Sequence, residues 1–336
     1  MAVVFNGENV GIAIPSEAPT LITKEITENG TYNASDEGAD GYSSVSVNVA
    51  STGGVNGLQW KCDNMKSLDY EFYECTLTNV DGAFEGLDTS NVTSFKETFA
   101  YTSLTTVPTL DISSAYKLSS TFRSCGTIKE ASLKNMHKIN QCTDLTYAFN
   151  GCTQLKAITG LDLTYVKTLD LTFYQCYSLV EFIHPESSSC TSFGSAFARC
   201  SRLETVILDT SASTNFSTMF NGCTNLTNLT LKTIKKNIAI GSGTSYGQLL
   251  TLDSLINTIK ELWDYSSGTT TYKLTMGTTN LEKIADVYVK LIDVTDEMIA
   301  DDPYIANKKP CVVCESTDEG AMTITEYATS KMWQLA

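Results

Sequence analysis

The chain has 336 residues, 42% of them hydrophobic and only 18% charged, with a net charge of −15 and a pI near 4.5. It is long enough for two or three domains and apolar enough to bury a sizeable core. So acidic a surface repels nucleic-acid phosphates and gains nothing from an anionic membrane, so neither nucleic acid nor membrane insertion is expected.

The opening MAVVFNGENVGIAIPSEAPT carries neither a basic n-region nor an apolar h-region, so no secretory signal is expected, and no stretch is long enough to span a bilayer. ITENGTYNASDEGADGYSSVSVNV (26–49) combines turn chemistry at Asn29-Gly30 and Gly38 with alternation at Val45, Val47 and Val49, which predicts a small β module over 1–50. Asp36, Glu37 and Asp40 lack EF-hand spacing and read as a solvated turn rather than a calcium loop. STGGVNG (51–57) reads as a flexible linker.

From 58 to 236 the chain repeats. Phe recurs at Phe72, Phe99, Phe122, Phe149, Phe173, Phe197 and Phe220, in steps of 23 to 27 residues. Three residues after each comes Cys75, Thr102, Cys125, Cys152, Cys176, Cys200 or Cys223, and five or six after each comes an aliphatic such as Leu77, Ile128 or Leu203. Upstream, LDTSNVTSFKETF (87–99) is echoed at 110–122, 161–173 and 208–220, with inserts in the copies near His137 and His184. A period of about 24 predicts an α/β repeat solenoid, each unit giving one short strand and one turn or helical segment, and about seven units sharing one core. Phe and Cys would form its structural ladder.

The phrases FNGCTQL (149–155), FARCSRL (197–203), FNGCTNL (220–226) and LDTSNVTSF (87–95) resemble the BspA-like leucine-rich repeats of bacterial surface proteins and of phage. That resemblance covers about 165 residues and implies a fold and a binding habit, not a reaction. The segment 26–49 is similar to one in tail and accessory proteins of phages infecting Gram-positive hosts.

Residues 237–336 are distinct and predict an α/β cap, which a solenoid needs over its last exposed face. TLDSLINTIKELWDY (251–265) and NLEKIADVYVKLI (280–292) read as helices around a strand at TYKLTM (271–276). The ending ATSKMWQLA (328–336) resembles the close of phage-encoded repeat proteins.

Candidate chemistry is sparse. Eleven cysteines (the others being Cys62, Cys142, Cys190, Cys311 and Cys314) argue against a full disulfide framework, and Cys at a repeat slot reads as a small buried hydrophobe. Cys311-Val-Val-Cys314 has half a zinc site's spacing with no second half, so a strand is expected. His137 and His184 lie in separate inserts with no nucleophile context. The sequons at Asn29, Asn33, Asn91, Asn215, Asn225 and Asn228 read as by-products of Asn/Thr-rich repeats. No catalytic residue, metal or cofactor is assigned.

What remains is the strand face, where alternation turns Glu181, Ile183, Thr205, Ile207, Asn228 and Thr230 outward, with Ile183 and Ile207 adjacent unless the C-terminal tail covers them. The function expected is that of a virion or tail-particle protein. The N-terminal module attaches it to other particle proteins, and the repeats bind a host cell-surface glycan or protein. The alternatives are an architectural baseplate, tail-tip or decoration protein, and a cellular BspA-type surface adhesin. A homo-oligomer is compatible with the sequence, which specifies no symmetry.

Overall fold

The computed structural model describes the backbone of residues 22–26, 31–33, 45–49 and 59–61, and residues 67–70, 72–74, 88–107, 110–134, 144–242 and 246–336. Asp36, Glu37, Asp40, the 51–57 linker, His137, Cys62, Cys75 and Cys142 lie outside the described residues. Toward the N-terminus, β1 (Ile22–Ile26) pairs in parallel with β3 (Val45–Val49), and β2 (Thr31–Asn33) with β4 (Gln59–Lys61).

The repeats wind into a β-solenoid. Ser67, Ser94, Lys117, Asp144, Thr168, Ser192 and Asn215 bridge in parallel, each to the next. In every rung the ladder Phe stands five residues after the bridge, from Phe72 after Ser67 to Phe220 after Asn215. The uneven repeat length is therefore absorbed outside this segment.

Within the segment the main chain alternates. Residues one, three, five and seven after the bridge donate to the next rung, as in Phe95 to Lys117 O (2.9 Å), Glu97 to Ser119 O (3.1 Å), Phe99 to Thr121 O (2.9 Å) and Tyr101 to Arg123 O (2.7 Å). The fourth, sixth and eighth residues donate backward within their own rung, as in Thr98 to Phe95 O (3.3 Å) and Thr102 to Phe99 O (3.3 Å). These are tandem turns, with left-handed backbone at the third and seventh positions: Glu97 and Tyr101, Ser120 and Ser124, Leu171 and Gln175, Ser195 and Arg199. An α-helix would spend every N–H within the segment, whereas these turns keep half of them to bind the neighbouring rung.

A second line of strands completes each turn of the solenoid. β5 (Leu110–Asp111), β6 (Glu130–Lys134) and β7 (Ala157–Thr159) form one parallel sheet, and β8 (Glu181–His184), β9 (Thr205–Asp209) and β10 (Asn228–Lys232) another. The recurrent Leu-Asp phrase turns the chain after this line. Asp88, Asp111, Asp162 and Asp209 each accept the N–H two residues on, at 2.9 to 3.0 Å, as Asx turns.

Between the two lines the ladder Phe rings stack nearly parallel, with centroids 5.2 Å apart at Phe72–Phe99 and 6.0 Å at Phe197–Phe220. All seven rings are buried. A buried aromatic side chain stabilises by roughly 1.5–3 kcal/mol, so this stack is a large share of the array's cohesion.

The last rung is closed by the C-terminal region. Helix α1 (Leu252–Lys260) buries Leu255, Ile256 and Ile259. At the β10 edge, Ser254 Oγ accepts from Leu229 N (3.0 Å), and Thr251 N donates to Thr227 O (2.9 Å). Beyond it, β11 (Ile238–Ala239), β12 (Tyr272–Thr275) and β16 (Trp333–Leu335) form a parallel sheet.

The remaining elements are α2 (Thr278–Ile284), β13 (Tyr288–Leu291), α3 (Asp296–Asp301), β14 (Cys311–Cys314), β15 (Met322–Thr323) and α4 (Ile324–Ser330). The helix expected over 280–292 is therefore half helix and half strand. After Ile284 the apolar positions recur every second residue, at Val287, Val289 and Leu291, which is strand spacing. The helix expected over 251–265 likewise ends at Lys260.

Candidate binding faces of the solenoid

The six strand-face residues come together. Glu181, Thr205 and Asn228 stand in register across β8, β9 and β10, as do Ile183, Ile207 and Thr230 one step along. Phe182, Val206 and Leu229 between them point inward and are buried. Ile183 is 46% exposed and nearby Val180 39%, while Ile207 is half-buried. Helix α1 meets β10 at its edge and leaves Asn228 and Thr230 exposed. On the rim, His184 Nδ1 lies 2.7 Å from Glu186 Oε1, and its ring rests 4.5 Å from that of Phe182.

The cysteine ladder lies in the interior. The thiols of Cys125, Cys152, Cys176, Cys200 and Cys223 donate to the carbonyls of Phe99, Phe122, Phe149, Phe173 and Phe197, at 2.8, 3.0, 3.1, 3.0 and 3.0 Å. These cysteines are unpaired with one another. Burial pushes Cys125 up to about 11 and Cys223 to about 12, and holds Cys152, Cys176 and Cys200 well above the ordinary thiol range. Such thiols stay protonated and unreactive at neutral pH. Thr102 stands at the same repeat position, but its hydroxyl donates within its own rung, to Phe99 O (2.9 Å).

The tandem turns carry a second face that sequence reading missed. Tyr70, Tyr73 and Tyr101 pack edge to face, with centroids 5.7 and 5.5 Å apart. Arg123 lies over Tyr101 (5.5 Å) on one side and Tyr147 (5.2 Å) on the other, and Arg199 over Tyr174 (5.7 Å). Ser124, Asn150 and Gly151 occupy the equivalent positions on the rungs between, with Ser124 N on Asn150 O (2.6 Å) and Gly151 N on Tyr174 O (2.8 Å). Rigid Tyr and Arg anchors among small polar residues are the composition of protein recognition surfaces. The available signal was a tyrosine within two residues of four of the ladder Phe residues, at Tyr70 and Tyr73, Tyr101, Tyr147 and Tyr174.

Among the described residues no group of three or more His, Cys, Asp or Glu is arranged to hold a metal, and no helix is long and apolar enough to cross a membrane. Residues 119–242 match the family model for a BspA type leucine rich repeat region, in 6 copies. Residues 48–157 match that for a Mycoplasma protein of unknown function, DUF285. Comparison with curated proteins and with solved structures gave no match. Residues 119–242 are thus a BspA-type leucine-rich-repeat region, a solenoid fold typical of non-enzymatic binding proteins, and no catalytic family is indicated.

Proposed function

We propose that this BspA-type solenoid is the binding part of a non-catalytic adhesion protein, and that it engages a cell-surface glycan or protein through the outward face of β8–β10. The observation that carries the reading is the Ile183–Ile207 pair, side by side and outward-facing on neighbouring strands, set in a sheet of small polar side chains. An apolar centre within a polar rim is the usual anatomy of a contact patch. Attachment to a phage or tail-like particle through the N-terminal module is the finer form of the proposal. It rests on the 26–49 phrase.

The test is binding of the purified protein to intact Gram-positive cells and isolated walls. Saturable binding that falls at least about tenfold in the Ile183→Lys/Ile207→Lys variant supports the strand face, tenfold being about 1.4 kcal/mol. Binding unchanged in that folded variant overturns it. The Tyr–Arg row favours a second reading in which the turn face makes the contact, and Tyr101→Ala/Arg123→Ala then carries the loss instead. If folded protein binds no cells and deletion of 58–236 blocks particle assembly, the role is architectural.

A further inference from the structure

Two of the chain's three arginines, Arg123 and Arg199, stand on the turn face, each against a tyrosine ring. Arg123 is half-buried between Tyr101 and Tyr147, and its Nε is buried without a hydrogen-bond partner. Among the described residues neither guanidinium is paired with a carboxylate. Cations elsewhere in the chain are paired: Lys308 with Glu261 and Asp302, Lys309 with Asp264, and Lys290 with Asp318. A guanidinium held by rings alone keeps N–H donors to spare, and its planar fork matches a carboxylate.

The row runs along the solenoid axis with one member per rung. Tyr101, Arg123, Tyr147, Tyr174 and Arg199 belong to the rungs bridged at Ser94, Lys117, Asp144, Thr168 and Ser192. At about 4.8 Å per rung the row is roughly 19 Å long. Its charge differs from that of the whole chain. The five turn segments from 117–125 to 215–223 carry three cations, Lys117, Arg123 and Arg199, against two carboxylates, Asp144 and Asp170. Both carboxylates are engaged, Asp144 Oδ1 by Thr146 N (2.9 Å) and Asp170 Oδ1 by Gly194 N (2.6 Å). Charges farther away than about 8 Å are largely screened at physiological salt. An anion at the row therefore meets a locally cationic strip, despite the net charge of −15.

We infer that this row is a binding site for an acidic glycan, an extended chain of pyranose sugars bearing carboxylates. Arg123 and Arg199 pair with the carboxylates, and Tyr147 and Tyr174 are platforms for the sugar rings. Among the described residues no other aromatic ring packs against Tyr147 or Tyr174, and both are only half-buried, so each keeps apolar surface for the C–H face of a sugar. The main chain favours a glycan over an acidic peptide. An extended peptide binds largely through a free strand edge. Here the N–H groups are spent within the array, as in Tyr147 N to Asp170 O (3.1 Å) and Asn150 N to Tyr147 O (3.0 Å). Recognition is left to rings and guanidinium groups. A glycerol phosphate polymer would satisfy the arginines but leave the rings unused. The inference rests on the turn-face reading above, to which it adds a ligand class, and it is independent of the strand face.

The test is isothermal titration calorimetry of the full chain with two soluble probes, oligogalacturonate and hyaluronan oligosaccharides, each beside its carboxyl-reduced form. At least one acidic probe is expected to bind saturably, and its reduced form at least about tenfold more weakly. Arg123→Gln should weaken binding at least about tenfold, and Arg123→Lys, which keeps the charge without the fork, should recover only part of that loss. Tyr174→Ala should weaken binding as well, whereas Ile183→Ser/Ile207→Ser on the strand face should bind as the wild type does. Four results overturn the proposal: no saturable binding of either acidic probe, equal binding of a reduced form, unchanged binding by folded Arg123→Gln/Arg199→Gln, or tighter binding of soluble poly(glycerol phosphate). The turn-face reading fails separately. If Tyr101→Ala/Arg123→Ala lowers binding to cells while no acidic probe binds, the turn face remains the contact and its ligand is not an acidic glycan.

Discussion

Gly151 and Gly160 share a left-handed backbone, φ +75° in each, and both lie in the solenoid, yet they predict different costs for an added methyl group. At Gly151 a Cβ would sit 3.2 Å from Ser124 Oγ and 3.3 Å from Ser124 Cα, a tight contact that a small shift relieves. At Gly160 it would sit 2.1 Å from Leu133 O and 2.9 Å from Leu133 C. Leu133 is buried and pairs with Leu110 across β5 and β6, so relief there means opening a rung. The left-handed cost common to both is about 1–2 kcal/mol, offset by about 0.5–1 kcal/mol because alanine has less freedom to lose from the unfolded chain. Gly151→Ala should therefore lose about 0.5–1 kcal/mol. Gly160→Ala should lose a further 1–3 kcal/mol or so, the usual toll of overpacking. Urea unfolding followed by far-ultraviolet circular dichroism reads both as a lowered midpoint. Equal losses would refute the argument, since backbone conformation alone would then account for both.

Other outcomes follow from the interior. Phe173→Ala, which removes a ring stacked between Phe149 (5.7 Å) and Phe197 (5.8 Å), should cost about 3–5 kcal/mol in the same assay. The buried thiols set an alkaline limit. Their folded pKa values are raised by burial, to about 11 at Cys125 and about 12 at Cys190 and Cys223, so the unfolded chain releases protons first. Their contribution is fully present below the unfolded thiol pKa and fades as pH rises toward 11–12, by up to about 1.4 kcal/mol per pH unit per thiol. Thermal midpoints between pH 8 and 10.5 should show this fall, and Cys223→Ala should make it shallower. Lys331 titrates with the opposite sign. Burial depresses its ammonium to about 7, although its Nζ bonds to Leu262 O (2.9 Å) and Lys260 O (3.2 Å). The folded state then binds fewer protons than the unfolded one above pH 7, so the stability of the C-terminal region should rise from about pH 7 toward 9. Lys331→Met should abolish that rise, as read by hydrogen exchange in α1 and β16.

Sequence made the ladder legible because its Phe and Cys positions answer to one constraint, burial between stacked rungs, which leaves a periodic trace. The outward alternation on β8–β10 was legible for the same reason, since Phe182, Val206 and Leu229 mark the inner face. The tandem turns were not. Their left-handed slots hold Tyr70, Glu97, Ser120, Tyr147, Leu171, Ser195 and Thr218 at the third position, and no residue preference announces them. At the seventh position only Gly151 and Gly222 carry the expected signature, while Gln175 and Arg199 adopt the same backbone without it. Inter-rung hydrogen bonds there outweigh an intrinsic preference of about 1–2 kcal/mol. In the C-terminal region, Lys283, Ala285 and Asp286 read equally well as helix, and it was the change to two-residue spacing at Val287 that marked the break.

The same geometry explains why the ladder uses cysteine where alanine or valine would pack. From Phe99 onward each ladder Phe carbonyl accepts the N–H three residues on in its own rung, as Phe149 O does from Cys152 (3.1 Å). Its second lone pair faces the next rung and is taken by that rung's thiol, Cys176 Sγ in this case (3.1 Å). An aliphatic residue would leave that site unfilled in a dry interior, while serine would fill it at a higher desolvation cost. At the other end of the series, the hydroxyl of Thr102 and the thiol of Cys125 converge on Phe99 O, at 2.9 and 2.8 Å, and lie 3.3 Å apart. With main-chain bonds, stacked rings and thiols holding the frame, the outward positions carry a smaller share of it, through contacts such as Arg123 with Tyr101 and Tyr147. Tyr, Arg and Ser can then accumulate on the turn face, and Ile and Thr on the strand face, at little cost to the fold. A scaffold whose cohesion rests mainly on its interior is well suited to evolve binding specificity.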